Sequence, residues 1–111
     1  MKNIDAVKAF VALGQETRLN IFRLIVQRGD VGLTPTQIKE LLAIPAPTLS
    51  FHLRELCLSN LLVVEKNGRS LTYRPNAKFA TNLSTFLLEN CCSGKDCIST
   101  SIIRHKAKAN K

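Results

Sequence analysis

Cys91, Cys92 and Cys97 place three thiols within seven residues, in a polar stretch near the end of the chain, and the only other cysteine is Cys57. Thiolates are soft ligands that select soft metals and metalloids. Three of them brought together make a pyramidal S3 site, which suits trivalent arsenic or antimony with a lone pair on the open side. Zinc would take a fourth ligand. Neighbours on a regular helix diverge by about 100°, so Cys91 and Cys92 converge poorly if a helix runs through them. Ser93-Gly94 is a terminator that lets the chain fold back and carry Cys97 to the pair. Lys95 helps to lower a thiol pKa. The expected effector is therefore As(III) or Sb(III), with no organic cofactor, held by Cys91, Cys92 and Cys97. Two other readings of the trio stay open: a redox pair or other soft-metal site, and residues without a role.

The stretch before the trio must supply what such a site would control. Val7, Phe10 and Val11 fall at helical spacing over residues 5–13, and Gly14 interrupts them. A second helix is expected from about Thr17 to Arg28, with Leu19, Phe22, Ile25 and Val26 as its apolar stripe and Gly29 as its stop. The third has full punctuation: Thr34 as N-cap, Pro35 at the first position and Gln37 closing a capping box. Its buried side is expected to be Ile38, Leu41 and Leu42. After Ile44-Pro45-Ala46-Pro47, a fourth helix spans about 47–58 with Leu49, Leu53 and Leu56 on one face. The period then changes. Leu61 to Lys66 is β-prone, Asn67-Gly68 predicts a type I′ turn, and Arg69 to Arg74 alternates around Leu71 and Tyr73. A last helix is expected over about 77–90, striped by Phe79, Leu83, Phe86 and Leu87.

Four helices, a hairpin and a closing helix give a mostly α fold with a small β-hairpin, a winged helix-turn-helix of order α-α-α-α-β-β-α. One domain fits the 111 residues. Residues 1–90 are expected to be the DNA-binding and dimerisation domain, and 91–111 a thiol-containing segment with a basic tail. Net charge is +8, with 11 Lys and Arg against 7 Asp and Glu before residue 91 and 5 against 1 after it. A small domain so basic meets polyanions, most often nucleic acid. No apolar run is long enough to span a bilayer, and Met1-Lys2-Asn3-Ile4-Asp5 lacks the stretch of a signal peptide. The expectation is a cytoplasmic chain with reduced thiols and no membrane partner.

The fourth helix carries the nucleic-acid chemistry. Thr48, Phe51 and Glu55 point away from its leucine face, and Ser50, His52 and Arg54 flank it. Small polar groups in its first half suit a major groove. Arg54 is expected at phosphate or guanine, Ser50 and His52 at phosphate or base edges, and Phe51 either at a thymine methyl or against a neighbouring element. Lys66 and Arg69 put two cations on the hairpin tip, near a minor groove or backbone. Thr34 and Thr36 stand where a helix start holds a phosphate. Cys57, beside Leu53 and Leu56, is expected to be a small buried hydrophobe.

Ala12-Leu13-Gly14-Gln15-Glu16-Thr17-Arg18-Leu19-Asn20-Ile21-Phe22, Thr48-Leu49-Ser50-Phe51-His52-Leu53-Arg54-Glu55-Leu56, and Asn67-Gly68-Arg69 followed by Tyr73 resemble the opening signature, recognition helix and wing of the ArsR/SmtB family of metal-sensing repressors. The likeness covers about residues 4–90. It implies a homodimer joined through the first and last helices, here by Val7, Phe10, Val11, Leu83, Phe86 and Leu87. It also implies repression of an operator, a double-stranded DNA partner, relieved by an effector. The chain departs from the family at the third helix, where Thr36-Gln37-Ile38-Lys39-Glu40-Leu41-Leu42 has no cysteine although many members carry a motif there, and at the last helix, which lacks the His and carboxylate ligands of zinc-sensing members. His52 and His105 are the only histidines, so a zinc-sensing set at the last helix is poorly supported. A Cys-Cys pair followed by Cys after a winged helix resembles the arsenite-responsive members. The expected function is thus a metalloid-released repressor, not an enzyme. A thiol-redox regulator of the same fold and a small metalloid carrier are the rivals.

Overall fold

The computed structural model describes residues 1–89, and the order is the expected one: α1 Asn3–Leu13, α2 Glu16–Arg28, a 3-10 turn Gly29–Val31, α3 Pro35–Leu42, α4 Ala46–Leu58, β1 Leu62–Asn67, β2 Ser70–Pro75 and α5 Ala77–Leu87.

Helix α1 turns a face of Ala6, Ala9 and Ala12 onto the domain, all buried. Methyl groups let its backbone lie close to α2 and α4, its two main helical neighbours. Its larger apolar residues, Ile4, Val7, Phe10 and Val11, point outward. The residues expected from apolar spacing are therefore real, but they form the outer face.

Helix α2 starts where Gln15 accepts a hydrogen bond from the Arg18 amide at 2.7 Å, and it ends at Gly29, whose φ of +71° favours glycine. Its core face is Ile21, Phe22 and Ile25. Leu19 and Val26, expected in the stripe, are exposed. Residues 19–26 are so rich in apolar types that spacing alone admits more than one phase, and packing selects the one through Ile21.

The capping box of α3 is formed: Thr34 Oγ1 accepts from the Gln37 amide at 3.3 Å, and Gln37 Oε1 accepts from the Thr34 amide at 2.9 Å. Ile38 is fully buried and Leu42 half-buried, whereas Leu41 is 63% exposed beside Leu24 and Leu33. That is a correction for Leu41. In a helix of only eight residues a narrow buried strip suffices, and Leu41 lies on the other side of Ile38 from Leu42. The turn into α4 uses Ala43 in the left-handed region, φ +53°. Pro45 caps α4, and Leu49, Leu53 and Leu56 enter the core.

Strands β1 and β2 pair antiparallel from Leu62↔Pro75 to Asn67↔Ser70. Gly68 and Arg69 are thus the two loop residues, and only Gly68 has a positive φ, +61°. That is the type II′ pattern, not the expected type I′ turn centred on Asn67-Gly68. An isolated bridge adds Leu33 to the outer side of β2, with Leu33 N–H to Tyr73 O at 3.0 Å and Tyr73 N–H to Leu33 O at 2.8 Å. Gly32 makes this close approach possible. Its φ is +73°, and a Cβ there would meet Thr72 Cγ2 at 2.6 Å and the Tyr73 carbonyl at 2.8 Å. Helix α5 is capped by Asn76, which accepts from the Phe79 amide at 3.2 Å.

Candidate nucleic-acid interface

The three-residue turn between α3 and α4 packs one helix on the other and leaves the far side of α4 open. Three buried leucines on one face force the other positions outward. Thr48, Ser50, Phe51 and Arg54 are exposed, with Glu55 half-buried beside them. Phe51 is 48% exposed. Its ring meets His52 edge-to-face at 5.5 Å, and the rest stays open to an apolar contact.

His52 departs from the expected role. It is only 7% exposed and buried with the leucines, so it does not reach into a groove. Its Nδ1 lies 3.3 Å from Arg18 Nη1. Burial first, then the Arg18 charge, holds its pKa below the usual histidine value, and Glu55 opposes them. The physical reason is its position on the flank of the leucine face next to Leu56, close enough to the buried side for Arg18 of α2 to reach it.

The wing presents Lys66 and Arg69, both exposed. Among the described residues the ion pair is Arg74 with Glu65, so Lys66, Arg69 and Arg54 keep their charge for an outside anion. Arg74 also donates from Nε to the Asp30 carbonyl at 2.7 Å and so ties the wing to the turn after α2. Thr34 is committed locally, its amide and its hydroxyl oxygen both used in the capping box, which leaves only its hydroxyl proton for a phosphate. Thr36, in the first turn of α3, is exposed.

Of the expected interface residues, Val7, Phe10 and Val11 are 53%, 39% and 67% exposed, and Leu87 is 62% exposed. Phe86 is half-buried against the core. Leu83 is 4% exposed and belongs to the protomer's own core. It is removed from the outer set, because the α5 stripe divides: Leu83 packs inward while Leu87 and Leu88 face out.

Cys57 is half-buried against the core, and burial raises its thiol pKa. That is the behaviour of a packed hydrophobe. Cys91, Cys92 and Cys97 lie outside the described residues. Within those residues no group of three His, Cys, Asp or Glu stands close enough to hold a metal. No helix among them is long and apolar enough to cross a membrane.

Arg18 was not singled out from the sequence. A lone arginine in the first turn of a helix reads as solvated, and no spacing signals its contact with a residue 34 positions on.

A family model described as a helix-turn-helix domain matches residues 13–65, the span from the end of α1 to the middle of β1. A search of curated proteins gives no significant match. Solved structures share the fold. An ArsR-like transcriptional regulator from Rhodococcus sp. RHA1 is 22% identical, with a TM-score of 0.69 over 96% of this chain and 90% of that one. The homodimeric winged helix-turn-helix DNA-binding domain Mb0332 from Mycobacterium bovis, a possible ArsR-family regulator, is 21% identical, with a TM-score of 0.63 over 76% of each chain. The transcriptional repressor BigR from Xylella fastidiosa is 23% identical, with a TM-score of 0.59 over 77% of this chain and 85% of that one. The chain has a winged helix-turn-helix fold.

Proposed function

We propose that this chain is an ArsR-type transcriptional repressor that binds operator DNA as a homodimer and is released when As(III) or Sb(III) joins Cys91, Cys92 and Cys97. The observation that carries the DNA reading is the outward face of α4, where Thr48, Ser50, Phe51 and Arg54 stand open beside a wing whose Lys66 and Arg69 make no ion pair among the described residues. Two such helices enter successive major grooves of a pseudo-palindromic site. Arg54 supplies a guanine or phosphate contact, Ser50 and Thr48 short hydrogen bonds, and Phe51 an apolar surface for a thymine methyl. Lys66 and Arg69 add sequence-independent attraction that falls with salt.

Dimerisation rests on the outer face of α1, with Val7, Phe10 and Val11, and on Leu87 at the end of α5 beside Phe86. Together with Ile4, the three α1 residues give four exposed apolar side chains on one short helix, a patch of the kind that marks a protein contact. The similarity to a homodimeric domain and to a repressor supports the same arrangement.

The effector arm is supported by donor chemistry and position. Three soft thiolates suit a trivalent metalloid, which takes up three sulfurs without a fourth ligand. Cys91 follows the end of α5 at Leu87 by four residues, so a ligand there acts on the helix next to the dimer face. Such coupling between sites is worth ~1–3 kcal/mol. No catalytic step enters this reading, and the unneutralised wing cations favour a DNA reader over a carrier.

The test is a titration of the reduced protein with arsenite while its complex with a fluorescent duplex is followed by anisotropy. Release at arsenite levels near one per site is expected. A complex that ignores arsenite but dissociates with peroxide would replace the metalloid trigger with a redox one, and the lack of any specific complex would leave the carrier.

A further inference from the structure

Arg18 is not among the residues proposed to meet DNA, yet it joins three elements. Its Nε donates to the Ala12 carbonyl in the last turn of α1 at 2.7 Å, and its Nη1 lies 3.3 Å from His52 Nδ1 in the middle of α4. Its own amide is held by Gln15. One planar guanidinium on α2 thus spans the helix that carries the outer apolar face and the helix that carries the open polar face.

The chemistry of the contact fixes the state of the ring. A guanidinium has donors and no acceptor, so Nδ1 must offer its lone pair and the ring proton must sit on Nε2. Only the neutral imidazole does this. A protonated ring would set N–H against N–H and cation against cation in a site where His52 is 7% exposed.

We propose that Arg18 is a positioning residue that, by bonding both Ala12 and neutral His52, fixes the setting of α4 relative to α1 and so makes sequence-specific DNA binding depend on an uncharged His52. This rests on the reading of α4 as the DNA-reading helix. The charged groups around the ring are Arg18 from α2 and Glu55 from α4, and Lys8 of α1 lines the same groove as both. Glu55 favours the imidazolium. Burial and Arg18 outweigh it, so the folded pKa lies below the ordinary value. The sign follows. In the unfolded chain the ring titrates at about 6.5. The clamp is fully present above that pH and is lost as pH falls from there through the lower folded value.

The test uses the full chain and a duplex that the wild-type protein selects from a random-sequence pool. Affinity is measured by anisotropy at constant ionic strength from about pH 7.5 down to about pH 4.5, a window that starts above the ordinary histidine value and runs well below it, toward the lowered folded one. A scrambled duplex reports non-specific binding. The variants are Arg18→Gln, Arg18→Lys and His52→Asn, the last keeping an acceptor near the place of Nδ1 without a titrating ring. Wild type should lose about fivefold or more on the selected duplex at the acid end, with little change in its ratio to scrambled DNA for His52→Asn. Arg18→Gln and Arg18→Lys should bind the selected duplex at neutral pH as weakly as acidified wild type, while sedimenting as wild type does. Should the Arg18 variants fail to fold, the pH profiles of wild type and His52→Asn decide alone. A flat wild-type profile, an equal acid loss in His52→Asn, or wild-type affinity in folded Arg18→Gln overturns the proposal. A wild-type protein that selects no duplex overturns the DNA reading first, and the proposal with it.

Discussion

Replacing Val7 and Val11 together by aspartate separates the outer face of α1 from its inner one. Both valines keep more than half of their surface in solvent, 53% and 67%, and the helix is held to the domain by Ala6, Ala9 and Ala12 instead. Full burial of a valine contributes about 1.5–3 kcal/mol. Covering the exposed part in a dimer therefore contributes about 1 kcal/mol or more per side chain, and two-fold symmetry makes four such side chains. The double variant should lose about 4 kcal/mol of association energy before any cost of desolvating aspartate. That is roughly a thousandfold in the dimer dissociation constant. Sedimentation velocity at micromolar protein should show wild-type dimers and variant monomers, with the helical circular dichroism unchanged. The contrasting substitution is Leu83→Ala. Leu83 is 4% exposed, and its truncation should cost the protomer about 2–5 kcal/mol in urea unfolding without making folded monomers. A Val7→Asp/Val11→Asp protein that stays dimeric at micromolar concentration refutes the assignment of the α1 face.

Gly32→Ala should destabilise the fold by about 1–3 kcal/mol, because the added Cβ collides with Thr72 and the Tyr73 carbonyl and the positive φ is disfavoured; urea unfolding checks this. Arg69→Ala should weaken all duplexes alike and reduce the slope of log affinity against log salt by about 0.9, whereas Arg54→Ala should cost roughly 1–3 kcal/mol on the selected duplex if it reads a base. Cys91→Ser and Cys92→Ser should bind DNA normally and ignore arsenite. Cys97→Ser should respond partly at high arsenite, and X-ray absorption of the wild-type complex should report three sulfur neighbours.

The order of elements, the capping box of α3 and the leucine face of α4 were legible in the sequence because each has a local cause: a hydroxyl three residues before an amide, or a repeat near 3.6. What was not legible depended on partners far along the chain. His52 sits on the flank of α4, where exposure turns on whether α2 lies over it, and only Arg18 tells that. Leu83 and Leu87 share one stripe in sequence, yet the domain takes the first and leaves the second. Leu19, Val26 and Leu41 failed for a related reason, since an apolar-rich helix offers several phases and the neighbour chooses. The turn shifted by one residue because Asn67-Gly68 fits two registers, and the pairing of Asn67 with Ser70 selects the later one.

The bridge from Leu33 to Tyr73 covers the outer side of β2, which among the described residues leaves β1 as the sheet's open margin. Its first exposed residues are Val63 and Val64, each 47% exposed, and unpaired strand edges with such side chains invite intermolecular pairing. Glu65 and Lys66 follow at once. Charge placed directly after a sticky β-branched pair resists the stacking of identical strands, so the lysine proposed to offer a cation to DNA also disfavours self-association of the wing. With the wing uncovered, that charge works against edge-to-edge pairing of copies in a concentrated solution.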